Sequence, residues 1–104
     1  QDLLLGVKVM NEDTAYREGE LLIAVYIKNI GSKEAKDIKL RTTIMDELIS
    51  DEKVVLKVDV GQTKRIIFYL PLDSDVDPYL EYYLRSVMSV DNVKKVEYSQ
   101  VRLR

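Results

Sequence analysis

The chain has 104 residues, neither cysteine nor histidine, and 16 basic against 18 acidic residues, for a net charge of −2. This excludes disulfides, thiolate and imidazole metal sites and histidine-based catalysis, and it leaves no basic footprint for nucleic acid. A composition that is 46% apolar and 33% charged fits a globular domain, and no apolar run reaches the roughly 18 residues of a membrane span.

Apolar residues alternate with period two along the whole chain, the pattern of half-buried strands. The first strand turns Leu3, Leu5, Val7 and Val9 to one side, and the second Leu21, Ile23, Val25 and Ile27. The third offers Ile38, Leu40, Thr42 and Ile44, and the fourth Val54, Leu56 and Val58. Ile66, Phe68 and Leu70 follow in the fifth, then Tyr82, Leu84, Ser86, Met88 and Val90 in the sixth. The seventh reads Val96 and Tyr98 and then Val101 and Leu103, a change of phase that a β-bulge near Ser99–Gln100 explains. Between strands lie turn-forming segments such as "REGE", "IGSKEAK" and "LDSDVDP". Only "DELISDEKVV", from Asp46, has room for a helical turn. The pattern predicts an all-β, seven-stranded, immunoglobulin-like (fibronectin type III-like) antiparallel β-sandwich forming one domain over residues 1–104. Its first, second, fourth and fifth strands are expected in one sheet, and its third, sixth and seventh in the other. Both ends run straight into strand-like sequence, as in one module of a larger multidomain protein. Abundant Lys, Glu, Val and Ile beside little Gln, Trp or Cys also resembles thermophile composition.

The stretch "VYIKNIGSKEAKDIKL" (residues 25–40) resembles the second and third strands of CARDB domains and related archaeal S-layer-type, adhesion-related modules. "VDVGQTKRIIFYLPL" is similar to the Gly-x-Thr strand of that family, and "YYLRSVMSVDNVKKVEY" to its Tyr-x-Leu strand ending in Val-Asp. The Glu- and Asn-rich tail that often closes the family's domains is reduced here to Glu97. The resemblance implies a non-catalytic structural or adhesion module of an extracellular or envelope protein. Its partners would be neighbouring domains or other envelope proteins, without membrane insertion by this segment.

Candidate sites are few. Asp73, Asp75 and Asp77 alternate like the opening of an EF-hand, but Pro78 and Leu84 occupy the positions that need Gly and Glu. An EF-hand is excluded. A looser Ca²⁺ site built from Asp13, Asp73, Asp75 and Asp77 stays open, because the sandwich topology gathers three acidic loops at one end. These contain Glu12, Glu18, Glu20, Asp46, Glu47, Asp51 and Glu52 besides. Lys33, Lys36, Lys64, Lys94 and Lys95 outnumber Glu34 and Asp91 at the other end, so head-to-tail stacking is a second reading and plain solvated loops a third. Leu4, Met10, Leu22, Ala24, Tyr26, Val55, Ile67 and Tyr69 fall on the outward side of the first sheet, where polar residues are usual. This predicts an interface around Leu4, Met10, Leu22, Tyr26, Val55, Ile67 and Tyr69. The opposite sheet turns out Lys39, Arg41, Thr43, Glu81, Arg85 and Glu97, a wet face. One of Tyr79, Tyr82 and Tyr83 is expected to form a tyrosine corner, although a sugar-stacking platform is another use for them. No serine has a base to activate it and no glycine-rich phosphate loop exists, so an enzyme is not expected. The remaining alternative is a binding module for calcium or polysaccharide, appended to a larger secreted enzyme.

Overall fold

The computed structural model describes residues 2–45 and 49–103. Its elements are β1 (Leu3–Val9), a helical turn α1 (Ala15–Glu18), β2 (Glu20–Asn29), β3 (Ala35–Ile44), β4 (Ile49–Val58), β5 (Thr63–Pro71), β6 (Glu81–Val90) and β7 (Val93–Arg102). All strand pairs are antiparallel, and they form two sheets of order β1-β2-β5 and β4-β3-β6-β7. The chain is therefore an all-β sandwich of the fibronectin type III arrangement, 45 Å in its longest dimension.

The central strands follow their alternation closely. Leu21, Ile23, Val25 and Ile27 on β2 are buried against Ile38, Leu40 and Ile44 on β3 and Tyr82, Leu84, Met88 and Val90 on β6, with Phe68 and Leu70 completing the core. Thr42 and Ser86, the polar pair in the predicted inward sets, meet inside the sandwich with their hydroxyls 3.2 Å apart. Each hydroxyl satisfies the other, which removes the cost of burying them.

The edge strands depart from expectation. β4 pairs with β3, not with the three-stranded sheet, because the short connection after Ile44 returns the chain directly alongside. Ile38 faces Val55 across this ladder, so Val55 is buried at 7% exposure and leaves the predicted interface. Val54 and Leu56 point to solvent instead, Leu56 being 74% exposed. The predicted bulge in β7 is also absent: β6 and β7 keep one register from Glu81↔Arg102 to Val90↔Val93. Val101 and Leu103 are buried as expected, whereas Val96 and Tyr98 face outward, and Glu97 shares the inward side with Ser86.

One physical cause explains both edges. A four-stranded sheet overhangs a three-stranded one, so the inward positions of β4 and β7 lie over a seam rather than over core. There a lysine is better placed than a valine. Lys53, opposite Leu40, donates to the Ile67 carbonyl at 2.6 Å and lies 5.5 Å from the Phe68 ring centroid. Lys95, opposite Met88, donates to the Leu3 carbonyl on the other flank. Each ammonium satisfies an edge carbonyl of the facing sheet, and inward charges also discourage edge-to-edge association.

Among the described residues a helical turn falls at Ala15–Glu18. Of "DELISDEKVV", Asp46–Leu48 lie outside the described residues and the rest is β4. Four residues are too few to show a helical period. The one local signal is Gly19, whose φ of 72° ends the turn in a left-handed conformation that suits glycine.

Candidate functional site

Each end of the sandwich is organised around an asparagine. Asn29, at the Asn-x-Gly-Ser motif, is buried and makes five hydrogen bonds. Its side chain donates to the Lys33 carbonyl at 2.8 Å and the Val58 carbonyl at 3.0 Å, and accepts from Gly31 N–H at 2.9 Å. Its backbone donates to Gln62 and accepts from Gly61. The motif is thus the knot that carries the chain from one sheet to the other. Both amide hydrogens of the Asn29 side chain are thereby taken up within the corner.

Several charges at this end are likewise matched. Glu34 lies 3.1 Å from Lys36 and 4.0 Å from Lys57, and Lys57 is 3.5 Å from Asp59. Asp59, which the sequence count omits, pairs with Lys57, Asp2 shares a depression with Lys33, and Lys95 is turned away to the β7 seam. The expected basic end therefore carries fewer unmatched positive charges than the sequence count gives.

At the other end Asn11 has the corresponding role in looser form. Its side-chain amide donates to the Glu20 carbonyl at 2.8 Å and to Glu18 Oε1 at 2.9 Å, and its Oδ1 accepts from Leu22 N–H at 2.8 Å. Thr14 Oγ1 also donates to Glu18 Oε1, at 2.7 Å. These two bonds, the threonine's first, hold the Glu18 carboxyl below the usual carboxylate range. Tyr82 proves to be the tyrosine corner: its buried hydroxyl accepts the Asp77 N–H at 2.9 Å. Asp77 Oδ1 in turn accepts from Tyr79 N–H at 2.9 Å.

The four predicted calcium ligands do not come together. Asp73, Asp75 and Asp77 are exposed along the β5–β6 loop, and Asp13 lies in the β1–β2 connection. Among the described residues no three acidic side chains gather as a metal ion requires. The alternation that suggested ligation places successive carboxylates around an open loop. Asp46 and Glu47, counted with this acidic end, lie outside the described residues.

The outer face of β1-β2-β5 keeps six of the seven predicted interface residues. Cross-strand pairing sets Met10, Leu22 and Tyr69 in one row, Lys8, Ala24 and Ile67 in the next, and Gly6, Tyr26 and Arg65 beyond them. Leu4 is 49% exposed, Met10 42% and Tyr69 52%, whereas Leu22, Tyr26 and Ile67 are half-buried among their neighbours. Ala24 faces outward but is wholly covered. Lys8, Lys28 and Arg65 border the apolar rows.

Sequence reasoning missed the character of the other outer face, because Val54, Val96 and Tyr98 were expected inside. They lie outward beside Val87 and Tyr83. Among them a shallow depression of about 260 Å³ is lined by Lys39, Arg41, Arg85 and Lys94, together with Glu52, Val87 and Ser89. Lys39, Arg41 and Arg85 fall outward as the alternation of β3 and β6 predicts; Lys94 and the apolar neighbours on β4 and β7 were legible only with the correct phase of those edge strands.

Comparison with known proteins shows the fold alone. No family model matches the chain, and no curated protein matches it. Among solved structures it is similar to a FixG-related protein from Vibrio parahaemolyticus, at a TM-score of 0.75 and 11% identity over 100% of this chain and 98% of that one. It is also similar to an ApaA-like protein from Bordetella pertussis, at a TM-score of 0.50 and 17% identity over 98% and 94% of the two chains.

Proposed function

We propose that this chain is a non-catalytic structural or adhesion module of a cell-surface or envelope protein, in the manner of the CARDB-like domains, that docks a neighbouring domain through the outer face of β1-β2-β5. The observation that carries this reading is the apolar character of that face. An antiparallel sheet ordinarily turns its second side to water with polar residues, yet here Leu4, Met10, Leu22, Tyr26, Ile67 and Tyr69 lie outward. Tyrosine suits such a role because its ring buries well while its hydroxyl stays hydrated. The knotted Asn29 corner and the lysine-sealed seams supply rigidity for a spacer that transmits force or fixes geometry.

Hydroxyl-radical footprinting tests this reading. Met10, Tyr26 and Tyr69 should be labelled in the isolated chain and protected in the parent protein, and Tyr26→Glu with Tyr69→Glu should abolish the protection elsewhere on the contact. Equal labelling of the three residues in both forms would overturn it.

A further inference from the structure

The two charged surfaces of this molecule are complementary and lie apart. On the outer side of the four-stranded sheet, Lys39 and Lys94 flank Ser89 in one cross-strand row. Arg41 stands in the next row beside Val87, and Arg85 in the third, beside Tyr98. Like charges this close on one sheet face repel, and among the described residues none of the four forms a salt bridge. Glu52 stands opposite Arg41 on β4, the one carboxylate lining the depression, and leaves the four cations in excess there; Arg41 also makes a long contact with the Ser50 hydroxyl, at 3.4 Å. At the Asn29 end, by contrast, Lys36 and Lys57 are paired with Glu34 and Asp59. The cationic cluster lines a depression, and its neighbours Val87, Val96 and Tyr98 are apolar.

At the acidic end the β5–β6 loop is the counterpart in charge, with Asp73, Asp75 and Asp77 exposed. Neither Asp73 nor Asp75 is in a salt bridge among the described residues. We propose that the outer face of β3-β6-β7, around Lys39, Arg41, Arg85 and Lys94, is a docking site for the acidic β5–β6 loop of a second copy of this domain. The contact is heterologous: each copy offers its end to the next copy's face and keeps its own face open. Repetition therefore builds an open array rather than a closed dimer. The inference uses neither the apolar face nor the reading built on it, and the two contacts leave each other's surfaces free.

Sedimentation of the purified chain tests it. Self-association is expected at about 20 mM salt and should weaken at least tenfold by about 500 mM, since exposed charges are then screened. Arg41→Glu with Arg85→Glu should abolish it, as should Asp73→Lys with Asp75→Lys, because each variant sets like charges against each other. Mixing the two variants should restore association, with the two alternating, which also shows that both are folded. Tyr26→Glu with Tyr69→Glu should leave it unchanged. A wild-type chain that stays monomeric at millimolar concentration in low salt would overturn the proposal, as would a mixture that fails to associate. Binding of a polyanion such as polyphosphate to an otherwise monomeric chain would assign the face to a different partner and overturn it equally.

Discussion

The two ends of the sandwich are built with the same device and put to different use. At one end Asn29 is buried, and its side chain makes three hydrogen bonds to the backbone of the β2–β3 corner and the β4 end. At the other, Asn11 ties a partly open loop and holds Glu18, while Asp73 and Asp75 of the neighbouring β5–β6 loop are exposed. A recognisable motif thus marks scaffold, whereas an unremarkable acidic loop marks the surface left free to interact. Polar residues that look functional in sequence are often those that the fold has already used.

The same substitution at the two ends should separate these roles. Asn29→Ala strands the buried Val58 carbonyl and the part-buried Lys33 carbonyl and Gly31 N–H, and is expected to cost about 3 kcal/mol. That corresponds to a fall in Tm on the order of 10–20 °C for a domain of this size. Asn11→Ala, at a site water can reach, should cost about 1 kcal/mol. Equal losses in thermal melts would show that the ends are not distinguished as described.

The smallest effect concerns Glu18. Its carboxyl titrates below the ordinary value of 4.5 because Thr14 and Asn11 donate to the charged form. A group depressed in the folded state stabilises fully above its unfolded value and loses that contribution as pH falls through the folded one. Glu18→Gln should therefore flatten the decline of Tm on acidification below about 4.5, and Asn11→Ala should flatten it in part. An acid limb that keeps the wild-type slope in both variants would remove Glu18 from the account.

How much was legible in the sequence follows from where each strand sits. On β2, β3 and β6 every inward side chain meets the opposite sheet, so burial enforces the alternation that Ile23, Leu40 or Leu84 displays. Seven strands, a sandwich, an inward Thr42–Ser86 pair and a tyrosine corner followed from that pattern and from turn chemistry. On β4 and β7 the inward side overhangs a seam, which favours Lys53 and Lys95 and releases Val54, Leu56, Val96 and Tyr98 to the outside. Hydropathy there points the wrong way.

Local sequence chemistry therefore determined the strands, their core faces and the acidic character of one end. The tertiary structure decided that β4 belongs beside β3, that Val55 is core, and that Lys94 joins Lys39, Arg41 and Arg85 on one outer face. Such decisions depend on which strands end as edges. An edge is a property of the assembled sheet: it exists only once the neighbours are placed, and the pairing that places them is long-range.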